Sequence, residues 1–475
     1  MAARARGLAG FALILAVGSA WAQTPPGTAT TLPPDVLQTV EKLRAAGLAD
    51  RNGYAILEDL VTRVGSRPAG TPAEARAREW AGAMLRAQGF AKVRVEPFTT
   101  TSWQASREQA EILAPWPQPL VIAALGASPS TPAGGLSGEV VRFTSLDALR
   151  AAAPGAVRDR IVFIDEAMVR TQDGAGYGAA VAKRRGCGIL ARSLGARACL
   201  IRSAGTNTDR FAHQGWGGTA LPEAQVPSAA LAPPDADTLA RVLQRSSEAV
   251  RVRLDIQAQF SPAAPSGNVL AEVTGREKPQ QIVLAAAHLD SWSLGQGALD
   301  DGAGVAIITA AAKLINDLPV KPRRSIRLLL AGSEEPVNSD SGGNAYRDAH
   351  RNETHVAAAE SDVGDGRVWR LRSRVGDGAL PSLRLLLAQL APLGVLAGDN
   401  QGGGGSDIGP LVATGVPVLA FNQDASGYFD VHHTANDTLE RVHVDDLRQN
   451  IAVWAVALYL LAEMDWDLRA PATAR

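Results

Sequence analysis

"QIVLAAAHLDSWSLGQGALDDGAGVAIITAAAKLINDL", residues 281–318, begins as a continuous apolar β run and ends as a long apolar helix pattern. Between the two, a Gly-rich stretch gathers His288, Asp290, Asp300 and Asp301 at the edge of a buried sheet, where unpaired charge is costly. The same alternation extends on both sides. "SGNVLAEVTG" (266–275) precedes it, and "SIRLLLAG" (325–332), "THVAAAES" (354–361) and "VPVLAFN" (416–422) follow as further β runs. Helix patterns lie between and after them, near Asn344 to His350, at Leu380 to Leu393 and around Leu447 to Met464. Near-continuous apolar strands alternating with helices mean a sheet buried on both faces. The expected fold is α/β, with a mixed, largely parallel sheet flanked by helices.

Upstream the texture changes twice. "MAARARGLAGFALILAVGSAWAQ" has Arg4 and Arg6, an apolar run from Leu8 to Val17 and a small-residue site at Ala20-Trp21-Ala22, the parts of a secretory signal peptide. Cleavage after Ala22 and export to the periplasm or the medium are expected. The apolar run is short for a bilayer span, which needs about 20 residues. Residues 23–34 are Pro/Thr-rich and read as a flexible leader. Residues 35–115 carry helix patterns followed by the alternating stretch "AKVRVEPFTTTSW", and read as the N-terminal part of the main domain. Residues 116–260 hold short β runs such as "LSGEVVRF", "DRIVFID" and "ACLIRS" separated by Gly/Pro turns, with one helix-like segment. They read as an inserted β-rich domain without chemistry of its own, and residues 261–475 as the main domain proper.

Net charge is close to zero, 47 Lys+Arg against 48 Asp+Glu, so no basic excess marks a nucleic-acid partner. No membrane attachment is expected after signal cleavage. Two cysteines, Cys187 and Cys199, are too few for a thiolate metal site but could pair in an oxidising compartment.

In α/β sheets ligand sites lie outside the carboxyl ends of the strands. His288 and Asp290 follow the first β run quoted, Glu334-Glu335 the second, Asp362 the third, and His432-His433 the fourth after a loop. Carboxylates gathered this way repel one another unless a cation sits among them. Nitrogen and carboxylate donors without Cys suit zinc, and are compatible with cobalt or manganese. One zinc would need three protein ligands and a water, and this set offers more. A pair of ions sharing a bridging carboxylate is expected.

Together, "HLDS", "ALDDGAG", "SEE", "ESD" and "HHTANDT" resemble the co-catalytic zinc aminopeptidase family, most closely its carboxypeptidase Q-like branch. The resemblance covers about Asn268 to Met464 and extends to the order of parts, because that branch carries a protease-associated domain inserted before its strand-rich half. It implies a zinc-exopeptidase fold, two zinc ions per chain, a small peptide substrate and a homodimer. By this resemblance His288 and Asp362 ligate one zinc, Glu335 and His433 the other, and Asp300 bridges them. Glu334 becomes the general acid/base for attack by a hydroxide held between the ions, and Asp290 the residue that orients His288. His433 is preferred to His432 because it directly precedes the Thr434-x-x-Asp437-Thr438 tail that resembles the family's. His432, Tyr428, Ser406 and Asp407 are expected to touch substrate.

Asp301 is expected to cap the helix after it. The four glycines at 402–405 lack the Gly-Lys-Ser/Thr ending of a phosphate loop and read as a flexible lip of the cleft. "AAAHLD" and "SDSGG" faintly suggest trypsin-like serine proteases, but the surrounding βα alternation contradicts a β-barrel. A single-zinc glutaminyl cyclase-like enzyme and a non-catalytic receptor-like binding protein are the alternatives. His288, present where cyclases differ, and the complete ligand set argue against them. An exopeptidase must also hold a free chain end, and Arg372, Arg374, Asn400 and Gln401 are candidates for a terminal carboxylate.

Overall fold

The computed structural model describes residues 31–336, 341–469 and 471. The expected signal segment, 1–22, and the leader up to residue 30 lie outside them. In the C-terminal half, strands Val368–Arg374, Val418–Gln423, Thr354–Glu360, Lys278–His288, Arg324–Ala331 and Arg251–Val273 are neighbours in that spatial order. The central four run parallel, and the first and last of the six are antiparallel to them. The α/β architecture read from the β runs is the observed one.

Burial on both faces explains why the strand Lys278–His288 reads as an unbroken apolar run over 282–287. Val283, Ala285 and Ala287 face the large core beneath helices Ala303–Asn316 and Val444–Glu463, while Leu284 and Ala286 face a smaller core under helix Gly342–His350. Helix Val444–Glu463 is buried over nearly its whole circumference. Each fully buried Leu or Ile, such as Ile451 and Leu458, contributes about 1.5–3 kcal/mol to holding it there. Helix Pro34–Leu48 crosses it at Gly47, where a Cβ would come within 2.5 Å of the Ala452 Cα. No helix among the described residues is long and apolar enough to cross a membrane.

The region expected as an insertion is strand-rich and continues the same sheet. Strands Leu136–Phe143, Ile161–Ile164, Ala198–Arg202 and Ser228–Leu231 lie parallel in that order, with Ile122–Ala124 antiparallel at the edge. Two long helices, Gly176–Ser193 and Pro233–Arg245, accompany them. The link to the other half is a ribbon in which Ala91–Ala114 pairs antiparallel with Arg251–Val273, from Ala91↔Glu272 to Ala114↔Arg251. The second of these strands runs through position 260 without a break, so continuous strand joins the halves there. Cys187 and Cys199 are bonded, tying helix Gly176–Ser193 to strand Ala198–Arg202. A bridge closing a loop of 12 residues contributes about 3 kcal/mol by restricting the unfolded chain.

Candidate metal centre

The register of three parallel strands sets the first donors side by side. His288 ends its strand opposite Ala331, so Glu334 and Glu335 follow a few residues later from the neighbouring strand. On the other side Glu360 pairs with Ala286, which brings Asp362 to the same edge. The His432-His433 pair arrives in the turn after Tyr428–Asp430.

Asp300 stands between two imidazoles. Its Oδ1 is 3.1 Å from His288 Nε2 and its Oδ2 is 3.1 Å from His433 Nε2. His288 Nε2 also lies 3.4 Å from Asp362 Oδ1, and His433 Nε2 lies 3.2 Å from Glu335 Oε2. The structure thus brings together all five residues expected as ligands. Buried polar atoms normally have partners, yet Asp300 Oδ2 and Glu335 Oε1 accept no hydrogen bond. Orphaned carboxylate oxygens buried beside imidazole nitrogens suit divalent cations.

Charge crowding is visible in the proton affinities. Burial pushes Glu335 up to about 8 and Glu334 up to about 7. Burial also raises Asp362. It would raise Asp300 too, but the close imidazoles of His288 and His433 hold that carboxyl well below the usual range. Burial opposes charge on His288 and His433, but the neighbouring carboxylates, led by Asp362 and Glu335 respectively, raise both well above an ordinary imidazole.

Around the donors lies a set of orienting contacts. His288 Nδ1 is 3.0 Å from the Asp290 carbonyl and 3.4 Å from its Oδ1. The Asp290 carboxylate also accepts from the backbone N–H groups of Glu334 (2.9 Å) and Glu335 (3.2 Å). One side chain therefore aims the imidazole and pins the Glu-Glu turn. Asp300 and Asp301 are joined by a cis peptide, and their carboxylates go to different tasks. Asp301 accepts from Gly304 N at 3.0 Å, the expected helix cap, and from His288 N at 3.0 Å. Asp437 accepts from the backbone N–H groups of Leu299 and Asp300, at 2.6 and 3.3 Å.

Three contributors were not foreseen in the sequence. Arg67, fully buried, donates to the carbonyls of Leu289, Gln296 and Gly297, clamping the Gly-rich loop from about 220 residues upstream. From the stretch 116–260, the Gln214 carbonyl lies 3.2 Å from His433 Nδ1, and Gln214 N donates to the His433 carbonyl at 2.9 Å. His213 Nδ1 lies 2.7 Å from the His432 carbonyl. These contacts leave His433 Nε2 to face the carboxylates, the second-layer arrangement that fixes a ligand imidazole.

The two histidines of the pair sit differently. The His433 backbone is left-handed, with φ 61°, and the two consecutive rings stack 3.5 Å apart on one side of the chain. His432 Nε2 reaches Asp300 Oδ2 only at 3.6 Å, and its ring packs against Tyr177, Tyr428 and Phe429. Of the two, His433 is the one within 3.2 Å of both Asp300 and Glu335.

A cavity of about 300 Å³ opens over the centre. Glu334, Ser406, Tyr428 and His432 line it. Gly404 and Gly405 form its lip, and a Cβ on Gly405 would fall 2.1 Å from Glu360 Oε1. Asp407 is not part of the wall: it is buried, with neither carboxylate oxygen hydrogen-bonded. The four candidates for a terminal carboxylate are also elsewhere. Arg372 pairs with Asp399 at 2.8 Å, Arg374 donates to the Gly402 carbonyl, Asn400 bonds to Val375, and the Gln401 carbonyl accepts from Arg372. Helix Gly176–Ser193 instead brings Tyr177, Arg184 and Arg185 to the wall, a contribution that the expectation of a chemically silent insertion missed.

Comparison with known proteins agrees with this geometry. The profile of Peptidase family M28 matches residues 268–458. Carboxypeptidase Q of Bos taurus is 32% identical over 433 residues, which cover 91% of this chain and 89% of that protein. The crystal structure of a peptidase M28 precursor from Shewanella amazonensis is similar with a TM-score of 0.88 and 42% identity, over 93% of this chain and 99% of that one. A zinc aminopeptidase from Bacillus subtilis, 19% identical, shares the fold with a TM-score of 0.63 over 88% of this chain and 97% of its own. Sequence match, shared fold and donor set agree: this chain is a metallopeptidase and belongs to peptidase family M28.

Proposed function

We propose that this chain is an exported di-zinc exopeptidase that hydrolyses dipeptides or short peptides. The observation that carries the reading is Asp300, whose two oxygens each face a different imidazole at 3.1 Å. His288 and Asp362 would hold one ion, Glu335 and His433 the other, and Asp300 both. Three carboxylates against two divalent ions leave a net charge of +1. When bound, zinc supplies a Lewis acid for the scissile carbonyl and lowers the pKa of the attacking water toward ~7. Glu334, on the cavity wall beside the centre, takes the water's proton and passes it to the leaving amine. Asp290 keeps His288 and the Glu334-Glu335 turn in place. Ser406, Tyr428 and His432 contact the peptide. The signal at residues 1–22, a protease-associated insertion over 116–260 and a homodimer belong to the same reading.

Hydrolysis of a dipeptide panel tests it, each peptide being offered free, N-acetylated and C-amidated to the zinc-loaded mature chain, with a chelated control. Chelator-sensitive cleavage of free dipeptides is expected. Tolerance of the amide would make it an aminopeptidase, tolerance of the acetyl group a carboxypeptidase, and cleavage of none would overturn the reading.

The carboxylates also predict a pH-dependent metal effect. Glu334 at about 7 and Glu335 at about 8 keep protons in the folded chain that the unfolded chain releases near 4.5. The folded pKa values are raised, so the metal-free chain loses stability as pH climbs from about 5 to 8. The raised His288 and His433 act in the same sense: their ion-pair stabilisation is complete below the unfolded imidazole value and lost above it. Zinc replaces those protons, so the rise in Tm on adding zinc should be larger at pH 8 than at pH 5.5. An equal rise at both values, measured by scanning fluorimetry, would detach the metals from these groups.

A further inference from the structure

His433 adopts a backbone conformation that a residue with a Cβ seldom keeps unaided: its φ is 61°, in the left-handed region. Such a conformation persists where the surroundings over-determine it. Here the surroundings are residues 203–214, which follow the carboxyl end of strand Ala198–Arg202. Thr206 N donates to the Phe429 carbonyl at 2.9 Å, and the Thr206 hydroxyl donates to Asp430 Oδ1 at 2.8 Å. His213 Nδ1 lies 2.7 Å from the His432 carbonyl, the oxygen of the peptide plane whose tilt sets that φ. Gln214 then holds His433 itself, through its own N–H and carbonyl.

His213 is built firmly into its place. It is buried, its N–H donates to Ser203 Oγ at 3.0 Å, and Ser203 donates in turn to the Leu231 carbonyl at 2.7 Å. Gly205 lies so close to the ring that a Cβ there would fall 2.1 Å from Nε2. A carbonyl only accepts, so Nδ1 carries the ring proton. Burial pushes the imidazole down to about 3, which leaves the ring neutral and Nε2 an acceptor. The buried Asn207 amide lies 2.9 Å from Nε2, and its nitrogen has no other partner. Turning that amide about its last bond lets Nδ2 donate to Nε2 and satisfies both atoms. His288, by contrast, takes its bearings from its own loop, through Asp290 and Asp301.

We infer that His213, held by Asn207, is a positioning residue for the His433 metal site alone: it locks the His432–His433 peptide, so that zinc retention at that site, and not at the His288 site, depends on residues 203–214. The inference rests on the di-zinc reading above. It makes the two ions unequal in what holds them. Reciprocally, an ion bound at His433 fastens residues 203–214 against the turn Tyr428–Asp430.

The test places His213→Leu in two backgrounds that each keep one site. Asp362→Ala keeps the ligands Glu335, His433 and Asp300, and Glu335→Ala keeps His288, Asp362 and Asp300. Zinc Kd is measured by competition with a chromophoric chelator, and Tm is recorded for every chain. In Asp362→Ala the added change should weaken zinc binding about 10- to 100-fold, the usual worth of a partner behind a ligand. In Glu335→Ala it should alter Kd by no more than about twofold, as for sites without shared partners. His213→Asn, whose amide nitrogen can stand where Nδ1 stands, should recover most of the loss. Equal weakening in both backgrounds, as from general damage to the fold, or weakening in neither, overturns the inference. If wild type does not take up two zinc ions, or the two backgrounds one each, the di-zinc reading fails. His213 is then judged on the metal-free wild type and His213→Leu by proton–nitrogen correlation spectra of labelled histidines. A neutral Nδ1–H tautomer at His213, with the His433 ring signals displaced in His213→Leu, upholds the positioning role. Any other tautomer, an imidazolium, or unmoved His433 signals overturns it.

Discussion

Glu334→Gln should keep the zinc content of the wild type and lower kcat by about 10²–10⁴-fold, the usual worth of a positioned general acid/base. The substitution is nearly isosteric. Asp290 holds the turn through the backbone N–H groups of residues 334 and 335, not through the Glu334 side chain, so Glu335 and the metal centre stay in place. What the amide cannot do is accept the water's proton. Burial raises Glu334 to about 7, close to where a base both takes a proton and gives it up readily. KM for a dipeptide should change little, because the loss falls on a proton transfer made in the transition state. A variant with kcat within tenfold of wild type would remove Glu334 from the chemistry and turn attention to Glu360, a wall carboxylate outside the expected ligand set that burial pushes up to about 8.

Asp300→Ala should cost both metals at once. Its two oxygens address different imidazoles, so on the proposed reading it is the ligand shared by both ions. Loss of a partner that merely orients a ligand typically weakens binding about 10- to 100-fold, and loss of a shared ligand should exceed that. Zinc per chain, measured after dialysis against micromolar free metal, should fall from two to less than one, and peptide hydrolysis should drop below detection. The comparison with Asp362→Ala is informative, since that change removes a ligand near His288 alone and should leave the second site closer to wild type. Two zinc ions retained in Asp300→Ala, with activity preserved, would eliminate the bridging role.

Much of this protein was legible in one dimension, for identifiable reasons. Strands buried on both faces leave few polar positions, so 282–287 and 328–331 read as unbroken apolar runs and appear within Lys278–His288 and Arg324–Ala331. Parallel strands present their carboxyl ends to one edge. A polar residue just after each run, at His288, Glu335 and Asp362, was therefore bound to meet the others once the sheet formed. Resemblance then separated Asp300 from Asp301, and the structure gives the two carboxylates different partners.

What the sequence by itself determined is the sheet and the group of His and carboxylate residues at its edge, which strand periodicity and chain order suffice to read, while the choice among them came from the resemblance. Only the tertiary structure decided what surrounds them. Arg67 donates to carbonyls about 220 residues away, and the Gln214 carbonyl meets His433 over a separation of 219. Backbone carbonyls carry no residue signature, so such partners leave no motif. Arg372 and Arg374 looked as eligible as Arg184, since an arginine's type says nothing of its neighbours. They meet Asp399 and the Gly402 carbonyl, whereas helix Gly176–Ser193 brings Arg184 to the cavity wall and to the Tyr177 hydroxyl. A side chain's partner is a property of packing between distant segments, and burial, which sets the cost of leaving a charge unmatched, exists only after the chain has folded.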